Sequence, residues 1–229
     1  MSYPKNPDKI IIKNKYYPSG LTELDIWNHY LKNKNKILSQ VKNRNVIFVL
    51  KIDDNFVIRR KGGKNNFIKL TSSNYEEMIT GRLTAMYGVM NGSEKFAIVD
   101  VDTSDFDLAK EATKSTYIFL TNYAPFIKDA HILFTGKNSF HIICELKKKM
   151  NVNTSRMLLK KLLDKSTLAN RYTIKPKRTG TIPNLDLYIN QRSGAYILEG
   201  AISKIGLEAM RVSLKNLKNF KKSSAIIQT

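Results

Sequence analysis

Two aspartates, separated by one residue, end an apolar stretch in the sequence FAIVDVDTSDFD. If this stretch is a β-strand, Asp100 and Asp102 project to one side and Val99 and Val101 to the other. The two aspartates would then be roughly 6.6 Å apart along the strand, and carboxylates this close repel each other unless a proton or a cation intervenes. Two interpretations stay open from this stretch alone: a metal-binding strand end, or a strand that ends in an acidic, solvated loop.

A second stretch, HILFTGKNSFHIICEL, predicts two apolar strands joined by a short turn. The turn combines two hydroxyls, a lysine and a glycine, at Thr135, Ser139, Lys137 and Gly136. Hydroxyls, an ammonium group and free backbone N–H groups in a glycine-containing turn suit a phosphate. His141 follows on the second strand. The alternative is a tight hairpin with a histidine in the core.

The third candidate is Asp186, which lies within the apolar stretch LDLYI. An acid there is costly unless it is paired or binds a metal, and a salt bridge to a lysine is the alternative to a metal site. Together with Asp100 and Asp102 it could hold two divalent cations about 3.5–4 Å apart. Oxygen ligands favour Mg²⁺ or Mn²⁺ over zinc, and Cys144, the single cysteine, excludes a cysteine-rich zinc site and is expected in the core.

The charge of the chain indicates a polyanionic partner. Among 229 residues, 39 are Lys or Arg and 19 are Asp or Glu, for a formal net charge of +20. Such a balance favours nucleic acid as the partner, or less often an anionic membrane surface, although the abundance of Lys and Asn is also what an AT-rich coding sequence produces. No apolar run has transmembrane length, and the N-terminus MSYPKNPDK has no apolar signal region. We therefore expect an intracellular protein, cytoplasmic or nuclear, without a membrane partner.

Hydrophobic periodicity predicts an α+β or α/β chain in which helices and strands alternate. Helices are predicted at 21–41, 73–90, 106–124 and 152–169. The first is expected to begin with a capping box formed by Thr22 and Asp25. Strands are predicted at 45–51, 56–60, 96–102, on both sides of the 135–139 turn, at 185–189 and at 195–201. The tail from residue 215 is basic.

The sequences VDVD, TGKNSFH and LDLY, in this order and spacing, resemble the three motifs of the archaeo-eukaryotic primase superfamily of primase-polymerases. NPDK, GLTELDIWNHY, INQRSGAY and ISKIGLEAMRVSL resemble one branch, the polymerase domain of bacterial DNA-repair ligases. The resemblance spans nearly the whole chain and implies a stand-alone catalytic domain over 1–229. Its expected parts are an N-terminal α/β part at 1–92, a motif-bearing sheet at 93–214 and a basic tail at 215–229. The implied fold packs an α/β unit on a sheet like that of RNA-recognition domains, with the active site in the cleft.

The resemblance also implies roles for individual residues. Asp100, Asp102 and Asp186 would be the catalytic, metal-binding carboxylates. The incoming triphosphate would be bound by residues of the 135–139 turn, by the histidine that follows it and by one basic residue of ISKIGLEAMRVSL. These residues are Thr135, Gly136, Lys137, Ser139, His141 and Lys204. Nucleic acid would be bound by Asn6, Lys9, Lys51 and Arg59, of which Asn6 and Lys9 match positions that bind a 5′-phosphate in the repair branch.

Three departures from the repair branch stand in the sequence. The branch has a lysine after GLT, where this chain has Glu23, and an acid disfavours a 5′-phosphate. The branch tends to have a glycine followed by a lysine where this chain has Lys137-Asn138, so the phosphate-binding lysine is displaced by one position. MYGVMNGSEKF lacks the His-Pro-Trp-like stretch that precedes the catalytic strand of the branch. Together these departures weaken the break-repair role, and the loss of the lysine at Glu23 favours primer synthesis or replication of a small genome, viral or plasmid-borne.

Three functional hypotheses remain at this point. The first is a DNA primase or polymerase that adds rNMP or dNMP from NTPs or dNTPs to a 3′-hydroxyl on a DNA template and primer, with a helicase or ligase acting in trans. Its alternative role is gap filling in end-joining repair. The second is a catalytically inactive, basic nucleic-acid-binding module, which has no use for the three acids. The third is a metal-dependent nuclease, which the phosphate-suited turn fits less well than a triphosphate enzyme.

Overall fold

The structure is a computed structural model that describes residues 4–61, 66–174, 182–187 and 194–228. Within these ranges, no helix has the length and apolar character needed to cross a membrane. Most of KGGKNN, at 61–66, and most of INQRSGAY, at 189–196, lie outside the described residues.

The described chain is a mixed α+β structure. In chain order its helices and strands are β1 (Ile10–Asn14), β2 (Tyr17–Thr22), α1 (Glu23–Lys32), α2 (Lys34–Val41), β3 (Val46–Ile52), β4 (Asn55–Arg59), α3 (Tyr75–Met78), β5 (Leu83–Val89), β6 (Ser93–Asp102), α4 (Phe106–Tyr123), β7 (Ile127–Phe134), β8 (Phe140–Asn151), α5 (Val152–Asp164), β9 (Asn184–Asp186), β10 (Ala195–Ile197), β11 (Met210–Val212) and α6 (Leu214–Leu217). Short 3₁₀ turns occupy Thr167–Asn170 and Lys222–Ala225.

These elements form two compact units. The first comprises residues 1–89, 195–210 and 221–229, and the second comprises residues 90–194 and 211–220. The first contains the β1–β2 hairpin and a four-stranded sheet in the order β10-β5-β3-β4, and the second contains most of a five-stranded sheet in the order β11-β7-β8-β6-β9. That the whole chain acts as one catalytic domain stays a prediction.

The predicted helix at 73–90 is wrong over most of its length. Only Tyr75–Met78 is helical, and Leu83–Val89 is strand β5, which pairs with β3 on one side and β10 on the other. Leu83, Thr84, Ala85 and Met86 are all buried. A strand buried on both faces has no alternation of polar and apolar residues, so periodicity alone does not separate it from a buried helix.

The predicted helix at 21–41 is two helices, with the break at Asn33. The predicted capping box at its start is confirmed, since Thr22 Oγ1 accepts from the Asp25 N–H and the Asp25 carboxylate accepts from the Thr22 N–H. At the break, the Asn33 side chain donates to the His29 carbonyl, 3.0 Å away. Such a local side-chain bond competes with the helical backbone pattern, which explains why α1 ends here.

The sheet of the second unit places its core on one face. Ala97, Val99 and Val101 of β6 are buried there in a cluster that includes residues of α4 and α5, and Cys144, as predicted, is a buried free thiol of the same cluster. Burial raises the pKa of that thiol to about 12. The other face of β6 carries Asp100 and Asp102, which are only partly buried. The alternation predicted for this strand is therefore confirmed.

Candidate active site

Asp100 lies in one row with residues of both neighbouring strands. It is directly opposite His141 on β8 and directly opposite Asp186 on β9, both in antiparallel pairing. Directly opposed residues of an antiparallel pair project to the same face, with Cβ atoms about 4.5–5.5 Å apart. The fold thus brings together two residues that are 86 positions apart in sequence, Asp100 and Asp186, beside a histidine.

The next row along β6 and β9 pairs Asp102 with Asn184. Asn184 is 1% exposed, and it lies two residues before Asp186 as Asp102 lies two residues after Asp100. Sequence reasoning missed Asn184, although the alternation in NLD mirrors that in DVD. The two rows together place three carboxylates and one amide on the same face of two neighbouring strands.

The two further acids of the opening stretch have structural roles. Asp105 is the N-cap of α4, and its carboxylate accepts from the N–H groups of Asp107 and Leu108 at 2.8 and 3.0 Å. Asp107 pairs with Lys110 across 2.6 Å on the first turns of the helix. The acidic stretch therefore divides into a strand part, Asp100 and Asp102, and a helix-capping part.

His141 is buried beside Asp100. Its side chain is 6% exposed, and its Nε2 lies 3.6 Å from Asp100 Oδ1. Burial lowers the pKa of His141 to about 4, so the imidazole is neutral at pH 7 and the two residues do not form an ion pair. In this position His141 contacts the carboxylate, and its burial leaves little of the ring for direct contact with a triphosphate.

The predicted turn at 135–139 joins β7 to β8 next to this row. The Thr135 N–H donates to the Ser139 carbonyl at 3.1 Å, and the two hydroxyl oxygens are 2.6 Å apart. Gly136 has a φ of +86°, in the left-handed region that favours glycine, and it is buried, whereas the side chain of Lys137 is exposed. The turn thus has two hydroxyls at its first and last residues and an exposed lysine in the middle.

Asn138 ties this turn to the chain that leaves the aspartate strand. Its Nδ2 donates to the carbonyl of Ser104, 3.2 Å away, two residues beyond Asp102. The turn and the strand end that carries the carboxylates are therefore held together by a direct bond. Sequence reasoning gave Asn138 no role of this kind.

The carboxylates only partly meet the requirements of a metal site. Asp100, Asp102 and Asp186 supply the oxygen donors that Mg²⁺ and Mn²⁺ prefer, and the register sets two of them opposite each other. Within the described residues, however, no group of three or more Asp, Glu, His or Cys side chains is arranged so that it could hold a metal ion. The backbone positions fit a divalent-cation site, and the side-chain positions do not complete one.

The other basic residues predicted to bind nucleotide or nucleic acid belong to the first unit. Lys204 is exposed, and its Nζ lies 4.8 Å from the ring centroid of Phe56 on β4. Lys51 is partly buried near the end of β3, opposite Phe56, while Arg59 is exposed at the end of β4. Their binding roles stay predictions.

Asn6 and Lys9 lie around Glu23, the residue that departs from the repair branch. The Glu23 carboxylate is 4% exposed, pairs with Arg82 Nε at 2.8 Å and accepts weakly from the Asn6 N–H at 3.4 Å. Lys9 Nζ lies 3.4 Å from Asp53 Oδ1 instead. Gly81 packs closely against the backbone of Glu23, since a Cβ on Gly81 would lie 2.4 Å from the Glu23 carbonyl oxygen. Glu23 is thus a buried structural anion.

Comparison with known proteins identifies the fold. No protein-family model and no curated protein sequence matches the chain. Among solved structures, the polymerase domain of Mycobacterium tuberculosis Ligase D in complex with DNA is similar, with a TM-score of 0.79 at 12% identity over 96% of this chain and 89% of that one. The AEP domain of the cyanophage S-2L primase-polymerase has a TM-score of 0.45 at 13% identity over 79% of this chain and 90% of that one.

The first of these similarities establishes the class of fold. The chain has the mixed α+β fold of the polymerase domain of Ligase D. The predicted fold class is confirmed. At 12% identity the likeness is one of fold, and the chemistry has to be argued from the residues of this chain.

Proposed function

We propose that this chain is a template-directed nucleotidyltransferase of the DNA primase and polymerase class, which joins an rNMP or a dNMP to a nucleic-acid 3′-hydroxyl. The observation that carries the proposal is the row of His141, Asp100 and Asp186 across three neighbouring strands, next to a turn suited to phosphate. Opposed carboxylates on one face of a sheet repel each other unless a cation lies between them. In a polymerase active site, such carboxylates bind the metal ions.

Asp100, Asp102 and Asp186 would hold Mg²⁺ or Mn²⁺. Such ions, when bound, stabilise the charge that develops on the transferred phosphate and lower the pKa of the attacking hydroxyl. Neutral His141, packed against Asp100, keeps that carboxylate in place without adding a positive charge that would compete with a cation.

The 135–139 turn would bind the triphosphate. Its hydroxyls at Thr135 and Ser139 and its backbone at Gly136 are close to the carboxylate row, and Lys137 adds a cation at the tip. Lys204 is proposed as a further triphosphate contact on the resemblance alone, since it belongs to the first unit.

The polyanionic partner is proposed to be a DNA template and primer. A net charge of +20 supplies a strong, salt-dependent attraction for a phosphate backbone. The solved polymerase domain of similar fold is itself in complex with DNA. A helicase or a ligase acting in trans would complete a replication or a repair pathway.

We favour primer synthesis or replication over gap-filling repair. Glu23 stands where the repair branch has a lysine. Its carboxylate is buried near Asn6 and Lys9 and is paired with Arg82. Paired in this way, Glu23 does not supply the positive charge that the lysine of the repair branch would offer to a 5′-phosphate. Gap filling in end-joining repair is the alternative role of the same chemistry.

One observation favours a second candidate function, a catalytically inactive nucleic-acid-binding module. That observation is the absence, among the described residues, of a group of three side chains arranged to hold a metal. The module would use the charge of the chain and would have no need for the opposed pair Asp100 and Asp186.

Primer extension on a DNA template separates these functions. The assay uses Mn²⁺, with rNTPs and dNTPs tested separately, and compares wild type with Asp100→Asn/Asp102→Asn and with the surface control Asp164→Asn. We expect extension by wild type and by the control and a loss of at least 100-fold in the double variant. Unprimed and gapped templates in the same series distinguish priming from gap filling. Tight DNA binding without extension by wild type would favour the inactive module.

A further inference from the structure

Four phenylalanines from three separate segments of the second unit pack together, and two of them adjoin the ends of the 135–139 turn. The closest pair of rings is Phe134 and Phe220, with centroids 5.1 Å apart, and the widest contact is that between Phe106 and Phe220, at 6.3 Å. Phe106 and Phe140 stack at 5.6 Å with an interplanar angle of 19°. We refer to Phe106, Phe134, Phe140 and Phe220 as the aromatic cluster.

Three rings of the aromatic cluster are fixed to the elements that carry the candidate site. Phe134 is the last residue of β7 and Phe140 the first residue of β8, so they adjoin the two ends of the turn. Phe106 is the first residue of α4, four residues beyond Asp102. The cluster therefore links the turn to the strand end with the carboxylates, in addition to the bond between Asn138 and Ser104.

The fourth ring comes from the C-terminal part of the chain. Phe220 is 8% exposed and contacts each of the other three rings. Its segment is held on α4 by Lys110, whose Nζ donates to the Lys218 carbonyl at 3.2 Å and lies 5.3 Å from the ring centroid of Phe106. Residues 211–220 thus belong to the second unit, although the chain before and after them belongs to the first.

We infer that Phe220 is a positioning residue for the 135–139 turn, and that the affinity for the nucleoside triphosphate depends on it. The expected effect on the affinity for the triphosphate rests on the proposed function. Packed interiors transmit changes of volume, and loss of the Phe220 ring leaves a cavity against Phe134 and Phe140, into which the neighbours relax. A shift of these two rings moves both ends of the turn, because each adjoins one end of it. The Phe220 ring contacts the other three rings of the aromatic cluster, so its effect on the turn would be indirect, through Phe134 and Phe140.

The test compares Phe220→Ala and Phe220→Leu with wild type and with Phe126→Ala. Phe126 is a partly buried phenylalanine in the turn that precedes β7, so it lies at the opposite end of this strand from Phe134, and a strand of eight residues spans roughly 26 Å. For the nucleotide substrate we expect about a 10-fold rise in KM with Phe220→Ala, a smaller rise with Phe220→Leu, which retains part of the volume, and no rise with Phe126→Ala. DNA affinity and kcat should stay within about twofold in all three variants. A rise in KM for Phe126→Ala equal to that for Phe220→Ala would overturn the inference, as would an unchanged KM in Phe220→Ala.

Hydrogen exchange of the backbone amides at 135–139 tests the inference independently of catalysis. We expect about 10-fold faster exchange in Phe220→Ala than in wild type and in Phe126→Ala, at a temperature where all three are folded. If wild type neither binds nor incorporates nucleotide, the proposed function fails while the exchange experiment still decides the positioning role. Unchanged exchange in this turn contradicts that role. If Phe220→Ala does not fold, Phe220→Leu takes its place in both experiments, with the same directions expected.

Discussion

Asp100 and Asp186 lie directly opposite each other on the antiparallel strands β6 and β9. At Cβ separations of about 4.5–5.5 Å, two ionised carboxylates repel each other by roughly 1 kcal/mol in water and more where the surroundings are less polar. Both are partly buried, which adds to that repulsion. A positive charge between the two carboxylates would relieve this repulsion.

Removal of one of the two facing charges should show how strongly they repel each other. In EDTA, Asp100→Asn should be more stable than wild type by about 1 kcal/mol, because the substitution removes one of the two facing charges and keeps the shape of the side chain. Thermal unfolding with a chelator present measures the difference. Asp164→Asn removes a surface carboxylate that pairs with Lys160, and should leave the stability within about 0.5 kcal/mol of wild type. A lower melting temperature for Asp100→Asn would show that the pair does not destabilise the metal-free protein.

The pH dependence of stability follows from His141. Its folded pKa is lowered to about 4, below the ordinary value of 6.5, so the unfolded chain binds a proton that the folded chain does not between these values. Stability should therefore fall as the pH is lowered from 7 to 5, by roughly 2 kcal/mol from this residue. Urea unfolding at both pH values measures the loss.

A matched variant isolates this contribution. His141→Gln should show a smaller loss between pH 7 and 5, and a remainder is expected from His29, whose pKa is also lowered by burial. The same pH dependence in wild type and His141→Gln would contradict the assignment.

Glu23 leads to a prediction about substrate choice. On gapped DNA, extension by wild type should be the same, within about threefold, whether the downstream strand ends in a 5′-phosphate or a 5′-hydroxyl, because Glu23, paired with Arg82, offers no positive charge to a phosphate. Parallel assays with the two gaps measure the ratio. A preference of 10-fold or more for the 5′-phosphate would support the repair role over priming.

Glu23→Lys, which restores the residue of the repair branch, should not create that preference. It would set a lysine beside Arg82 in a position where the native side chain is only 4% exposed. Breaking a buried ion pair in this way costs about 3–5 kcal/mol. We expect a lower melting temperature and no gain in phosphate selectivity.

Three consecutive lysines offer a test of nucleic-acid binding. Lys147, Lys148 and Lys149 are all exposed, where β8 bulges between its pairings with Phe96 and Glu94 of β6. If each contacts one phosphate, replacing all three with alanine should reduce the slope of log Kobs against log salt by about 2–3 for duplex DNA. Fluorescence anisotropy at four or more salt concentrations gives the slope.

Three scattered lysines give the matched control for that experiment. Lys13, Lys42 and Lys114 are exposed too, and their replacement changes the net charge by the same amount. We expect a change in slope of less than about 1 for this control. Equal effects of the two triple variants would mean that only net charge matters.

Local patterns in the sequence predicted much of the candidate site. The alternation in FAIVDVD placed Asp100 and Asp102 on the face opposite the core, and the composition of TGKNS predicted the turn that Gly136 allows. Both features depend on residues close together in the chain. The pairing of β6 with β9, by contrast, joins Asp100 to a residue 86 positions away, and periodicity does not encode such a register.

The errors and omissions have the same physical origin. Strand β5 was predicted as part of a helix because burial on both faces removed the alternation that identifies a strand. The roles of Asn138 and Phe220 depend on contacts with Ser104 and with Phe134, which sequence spacing does not reveal. Glu23 was recognised as a departure, but its partner Arg82 is 59 residues away.

Binding of Mn²⁺ tests the central claim most directly, since it asks whether the opposed carboxylates form a cation site. The measurement is the change in melting temperature on adding Mn²⁺ to wild type, to Asp186→Asn and to Asp164→Asn, because an ion that binds only the folded state stabilises it. We expect a concentration-dependent rise for wild type and for Asp164→Asn, and a rise at least several-fold smaller for Asp186→Asn. No rise in wild type, or the same rise in all three proteins, would contradict a metal site at Asp100 and Asp186.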